Sequence, residues 1–327
     1  MPYRLLFLLF WGLTASAICR AQYSAFSYPW QASLWHNPAT AAGTHAHQLQ
    51  MSYRHRAPRL EGGIASMHVQ YAHTWQKART ALGSWAMLEQ AGSGRFRQQA
   101  VALSLSHFVP LQEKLIWRLS LEGSYLQQSH GFGQYTFGDQ LSTWGNTGQP
   151  SAEAFPDEQL RAWNLNAGTL IHSHTFWVGV SARYLNQAVL RGTGAAYRLP
   201  VYWQAQGGIK ISLPNYRRQD ALLPWIGYRR YLDYQSFDAG MWAQIAPLQA
   251  GISMESLPLG GSNDSRLFLH AGIDYEGYRF IYSFGSPLGR QALAGHVHEV
   301  GFSVRFGAAA RSQRYGLTAA LPYDTLP

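Results

Sequence analysis

Residues 115–125 read Leu115-Ile116-Trp117-Arg118-Leu119-Ser120-Leu121-Glu122-Gly123-Ser124-Tyr125. In an extended chain successive side chains point to opposite faces. Leu115, Trp117, Leu119, Leu121, Gly123 and Tyr125 therefore share one face, and Arg118, Ser120, Glu122 and Ser124 share the other. A strand of a soluble sandwich alternates too, but it does not set Arg and Glu opposite an all-apolar face while the rest of the chain carries little charge. The pattern recurs in both directions. Phe176, Val178, Val180, Ala182 and Tyr184 oppose Gly179, Ser181 and Arg183; Leu267, Leu269, Ala271 and Ile273 oppose Arg266, His270 and Asp274; Val300, Phe302, Val304 and Phe306 oppose Glu299, Ser303 and Arg305. Segments of about ten residues with one lipid face and one wet face are the signature of a transmembrane β-barrel.

Composition agrees. The chain has 327 residues, of which 46% are hydrophobic, 14% aromatic and only 13% charged. An average globular chain carries about 25% charged residues, so disorder, coiled coil and a solvated helical bundle are excluded. Beyond the first twenty positions no apolar run approaches the ~18 residues of a transmembrane helix. Residues 1–21 have the order of a secretory signal peptide: Arg4, an apolar run over 5–13, then small residues ending at Ala21. Cleavage there removes Cys19, the one cysteine, and with it disulfides, thiolate metal sites and thiol catalysis. The net charge of +9 is dispersed along strand-like segments, which suits a solvated barrel interior and anionic lipid rather than nucleic acid.

Alternation predicts fourteen antiparallel strands, at 47–55, 64–73, 80–90, 97–107, 115–126, 160–171, 175–186, 200–213, 222–234, 236–246, 248–255, 265–275, 277–285 and 295–306. An even number is what a closed outer-membrane barrel uses. Strands three and nine alternate poorly, so twelve or sixteen stay open. Connections alternate in length: short at 74–79, 108–114, 173–174, 214–221, 247 and 276–277, long at 55–63, 127–159, 187–199, 256–264 and 286–294. Short turns face the periplasm and long loops the outside. Tyr53, Tyr71, Trp75, Trp85, Tyr125, Trp163, Tyr184, Trp203, Tyr228, Tyr231, Tyr278 and Tyr282 read as interfacial girdle on the lipid face. Residues 22–46, aromatic, uncharged and broken by two prolines, are expected to form a plug in the lumen or across its periplasmic mouth. The barrel then spans 47–306, and 307–327 is a periplasmic tail.

Catalytic and metal patterns are weak. His45/His47, His172/His174 and His296/His298 each place two imidazoles on one face of a strand, but acidic partners at ligand spacing are scarce, and turn and rim histidines explain them. No Ser, His and acid are singled out by spacing as a triad. Gly-rich tracts at 131–133 and 192–194 lack a following Lys-Ser/Thr and read as turns. No enzyme activity and no cofactor are expected. Inward Arg118, Arg183, Lys210 and Arg305 beside Glu122, Asp274 and Glu299 predict a mixed-charge lumen. In the loop 127–159, Phe132, Tyr135, Phe137, Trp144 and Phe155 read either as a protein-contact surface or as a loop folded inward over the pore.

Three motifs in order carry a resemblance. Phe26-Ser-Tyr28 followed by Asn37-Pro38-Ala39 and Gly43, the turn Phe108-Val-Pro110-Leu111-Gln-Glu113-Lys114, and the closing stretch Gly295-His-Val-His298-Glu299 through Phe302 to Phe306 together resemble the PorP/SprF family of outer-membrane proteins. The spacing departs at Ala42, which stretches the step to Gly43 by one. The resemblance implies a non-catalytic, integral outer-membrane barrel of the type IX secretion and gliding machinery. Such a barrel helps secrete, or anchors at the cell surface, an adhesin-like cargo through the cargo's C-terminal sorting domain, and links to periplasmic, peptidoglycan-associated components. The rival reading is an outer-membrane channel for hydrophobic or small solutes.

Overall fold

A computed structural model describes residues 26–27, 30–41, 45–58, 62–92, 94–112, 114–131, 136, 138–152, 158–192, 196–213, 220–257, 265–288 and 295–309. The expected signal peptide, Tyr28, Gly43, Phe132, Tyr135, Phe137, Phe155 and the tail beyond 309 lie outside the described residues.

The wall begins with β1 (His45–Arg56), β2 (Ile64–Trp75), β3 (Thr80–Ala91), β4 (Phe96–Gln112), β5 (Leu115–His130), β6 (Glu158–His172) and β7 (Phe176–Arg183). It continues with β8 (Tyr202–Ile209, extended by Ile211–Ser212), β9 (Ala221–Tyr231), β10 (Tyr234–Ile245), β11 (Leu248–Leu257), β12 (Arg266–Tyr275), β13 (Tyr278–Pro287) and β14 (Val297–Ala309). Every neighbouring pair is antiparallel, and β1 pairs with β14 as well as β2, which closes the sheet into a barrel. Fourteen strands are present, as alternation predicts.

Side chains sort by face as the opening stretch requires. Leu119 and Leu121 are 41% and 64% exposed on the outer surface, whereas Arg118, Ser120 and Glu122 are buried inside. Such a band of exposed Leu, Val, Ile and Phe is stable only in hydrocarbon. Strands β3 and β9 alternate poorly for a reason the structure makes plain: their inner faces are apolar as well. Ala81, Trp85 and Met87 of β3, and Leu223, Trp225 and Tyr231 of β9, are buried. Residues of the 30–41 segment, among them Trp30, Leu34 and Trp35, pack against them in the lumen. Three expected girdle residues are corrected accordingly: Trp85, Tyr184 and Tyr231 are 5%, 4% and 9% exposed, in the core rather than on the lipid face. Trp75, Trp163, Trp203, Tyr278 and Tyr282 remain outward and exposed.

Two connections differ from expectation. The turn at 108–114 contracts to 113–114, because β4 runs on to Gln112 and pairs Phe108 with Arg118 and Pro110 with Ile116. In the other direction β7 stops at Arg183, where Tyr184 takes φ +60° and turns the chain off the wall. Its partner β6 extends past that point, and its edge is completed by a side chain. Asn186 accepts from the Leu165 amide at 3.1 Å and donates to the Trp163 carbonyl at 2.9 Å, standing in for a missing strand's backbone. A short hairpin, Val189–Arg191 with Ala196–Arg198, touches β6 farther up through Arg191 and Arg161.

Candidate functional site

Residues 30–41 occupy the interior, and their local shape follows from sequence. Ser33–His36 forms a single helical turn, α1, which ends at Asn37. Pro38 disfavours helix at the preceding residue, and Asn37 indeed sits extended at φ −154°, ψ 114°. Pro38 then opens a 3-10 turn, Pro38–Ala41, at the position where its missing N–H costs nothing. Asn37 caps that turn: its Oδ1 accepts from the Ala39 amide at 2.9 Å. Its Nδ2 points the other way, into the wall, and donates to the carbonyls of Thr169 at 3.0 Å and Val180 at 3.4 Å. Gly168 and Gly179 make room for this: a Cβ on Gly168 would run into Asn37 Oδ1 and Pro38, and one on Gly179 would lie 2.8 Å from Asn37 Nδ2. Asn37 thus serves as wedge and cap and Pro38 sets the chain direction, while Ala39 is fully buried.

The wall holds the segment along its length. Gln50 donates to the Trp30 carbonyl at 2.9 Å, Ser52 to that of Gln31, and Ser181 to that of His36 at 2.6 Å. The Leu34 amide donates to Gln70 Oε1 at 3.1 Å. Arg183 is the central contact. It donates to the Trp35 carbonyl at 2.9 Å and the Leu34 carbonyl at 3.3 Å, pairs with Glu122 at 3.0 Å, and lies 5.1 and 5.0 Å from the rings of Trp35 and Trp85. Glu122 in turn accepts from Trp85 Nε1 at 2.9 Å and Asn166 Nδ2 at 2.8 Å. A buried ion pair persists only when its remaining lone pairs and protons are also matched, and this one has both carbonyl acceptors and neutral donors.

A second cluster grips the start of the segment. Glu299 accepts from the Ser27 amide at 3.2 Å and hydroxyl at 2.6 Å, and pairs with Arg54 at 3.2 Å. Arg54 also pairs with Glu255 at 3.0 Å, and Arg229 bridges Asp238 at 2.9 Å and Glu255 at 3.6 Å. Nearer the short turns Asp274 binds Arg279 at 2.6 Å and Arg305 at 2.5 Å. The mixed-charge lumen is therefore present: Arg118 bonds His172 at 3.0 Å, and Lys210 lies in the break between the two parts of β8.

Aromatic packing completes the interior. Trp30 meets Trp177, Trp225 and Trp242 edge-on, with ring centres 5.9, 6.3 and 6.5 Å apart, a favoured aromatic geometry. Each wall tryptophan lies over the glycine directly opposite it on the next strand: Trp177 over Gly208, Trp225 over Gly240, Trp242 over Gly251. Sequence reasoning missed this quartet; the signal available was Trp at inward parity facing Gly at inward parity.

The remaining sequence-derived residues are dispersed. Phe26 is buried with its ring 5.9 Å from His68. His298 bonds Tyr282 at 2.7 Å on the outer face, Phe302 is exposed, and Phe306 stacks on His47 at 4.9 Å. Trp144, 96% exposed, tips a small hairpin of the outer loop, Leu141–Ser142 with Gly145–Asn146. That loop is braced by Asp139, which accepts from Ser151 and from the Ala152 amide, each at 2.7 Å, and these bonds hold its carboxyl below the usual carboxylate range. Of the histidine pairs, His172 is inside and His298 outside. Among the described residues no three His, Cys, Asp or Glu converge as a metal site.

Solved structures with a similar fold include the toluene transporter TodX of Pseudomonas putida (11% identity, 86% of this chain and 94% of that one, TM-score 0.47). Others are a FadL homologue of Pseudomonas aeruginosa (9%, 87% and 99%, 0.48) and Omp33 of Acinetobacter baumannii (9%, 80% and 98%, 0.44). No curated protein matches. The sequence model of the family described as type IX secretion system membrane protein PorP/SprF matches residues 15–304.

Proposed function

The chain belongs to the PorP/SprF family of type IX secretion system membrane proteins, and from that premise we propose that it is a non-catalytic, plugged scaffold of the outer membrane. In this reading cleavage after Ala21 releases a mature chain whose residues 22–44, up to the start of β1, seal the lumen. The outer loops, including 127–159, capture the C-terminal sorting domain of an exported, adhesin-like cargo, and the short turns dock periplasmic, peptidoglycan-associated components that serve secretion and gliding. The tail beyond 309 stays on the periplasmic side.

The observation that carries this reading is the clamp of Arg183, paired with Glu122, on the carbonyls of Leu34 and Trp35. A gate has to open, whereas a segment tied by a buried ion pair and walled in by a tryptophan quartet favours a static partition. The test joins two measurements on tagged protein from its own outer membrane. Gentle detergent pull-down is expected to recover a large exported protein and periplasmic machine components, and planar bilayers are expected to show no conductance. A clean monomer that conducts would transfer the assignment to a solute channel.

A further inference from the structure

The outer wall carries an apolar groove of about 660 Å³ across β4 to β8, within the size of pockets that bind small molecules. Its cause is a row of small residues between large ones. Ala167 faces Ala182, flanked by Leu121 on one side and Trp203 on the other. The wall behind is drawn from within by Asn37, whose amide holds the carbonyls of Thr169 and Val180, both residues of the groove. Neighbouring outward residues, among them Leu103 and Val178 at 57% and 55% exposure, are apolar, so hydrocarbon bathes this face.

The groove asks nothing polar of its occupant. Ser120 donates to the Leu105 carbonyl, Ser181 to that of His36, Thr169 to that of Arg118, and His107 bonds Thr80. Polarity enters only at the short-turn end. His107 lies there, and the adjoining turns expose Lys77, Arg79 and Lys114, with Glu113 the one acid in those two turns. A chain lying in the groove with its anionic headgroup at that end would satisfy both halves.

We propose that the groove binds one acyl chain of an anionic phospholipid from the short-turn leaflet, its phosphate held by Lys77, Arg79 and Lys114. The test is native mass spectrometry of the full mature protein after extended detergent washing. Wild type is expected to retain a single phospholipid. Ala167→Leu/Ala182→Leu, which fills the groove from the lipid side, is expected to lose it to background. Ala271→Leu, outward on β12, is expected to keep it, and Lys77→Gln/Arg79→Gln/Lys114→Gln to retain several-fold less. Folding is checked by β-sheet circular dichroism, and Ala182→Leu alone serves if the double variant fails to fold. Equal retention by wild type and the filled variant, no retained lipid in wild type, or a protein or a lipopolysaccharide in its place would overturn the proposal.

Discussion

Replacing Arg183 with Met strips the clamp of its cation while keeping an unbranched side chain of similar reach. The consequences separate into two parts. Glu122, fully buried, is left as an uncompensated charge, which costs about 3–5 kcal/mol when one partner of a buried pair is removed. The carbonyls of Leu34 and Trp35 also lose their donor, about 1 kcal/mol each. Arg183→Met/Glu122→Gln removes the first part and keeps the second, because a neutral glutamine leaves no buried charge and its one carbonyl oxygen still accepts from Trp85 or from Asn166, which bond different oxygens of Glu122. The double variant is therefore expected to be more stable than Arg183→Met alone, by roughly 1–3 kcal/mol, in urea unfolding from liposomes followed by tryptophan fluorescence. Cleavage of the N-terminal segment by an added protease reports the second part. It is expected to rise by roughly 30-fold in both variants, the factor equivalent to about 2 kcal/mol, and to stay near wild type in Glu122→Gln, where Arg183 still donates. A double variant no more stable than the single one, or a segment equally protected in all, would refute the ion pair as the element that seats the segment.

Three further outcomes follow from the geometry. Gly251→Ala pushes a methyl into the Trp242 ring, and overpacking of that kind costs about 1–3 kcal/mol, to be read from the urea midpoint; Gly123→Ala, in mid-strand with nothing near its Cβ, serves as the uncrowded comparison. Asp139 has its carboxyl lowered by Ser151 and the Ala152 amide, so its contribution to loop order is present above the ordinary carboxylate range and lost as pH falls through the lowered value. A carbon-13 titration of the Asp139 carboxyl with the Trp144 indole signal should show both changing together, and an indole signal indifferent to that titration would contradict it. Trp144→Ala removes the most exposed large side chain among the described residues of the outer loop; cargo recovered in the pull-down is expected to fall while unfolding is unchanged, and undiminished recovery would place the contact elsewhere.

Strand number, face assignment and the even closure were legible from period-two alternation, because a lipid-facing wall obliges the outward positions across the hydrocarbon band to be apolar. Leu119 and Leu121 needed no structure to be placed. Trp85 and Tyr231 were misread because the rule assumes a polar lumen, and here residues 30–41 lie in it, so an inward aromatic looks like an outward one; Tyr184 was misread because the strand ends one residue before it. The bend that Pro38 imposes on Asn37 was readable from the dipeptide, yet nothing in it says that the amide would reach the carbonyls of Thr169 and Val180, more than a hundred residues away.

By itself, then, the sequence determined what each strand could do locally: extend, alternate, cross a bilayer and turn. Tertiary structure decided the partners. Which acid meets Arg183, which glycine lies under Trp242, and how far β7 continues before Tyr184 leaves the wall all depend on residues distant in the chain brought together by barrel closure. Backbone preference and hydrophobic period act over a few residues and leave their mark in every short window of sequence. Ion pairing and close packing act between surfaces, and those surfaces exist only once the sheet has closed around the segment it contains.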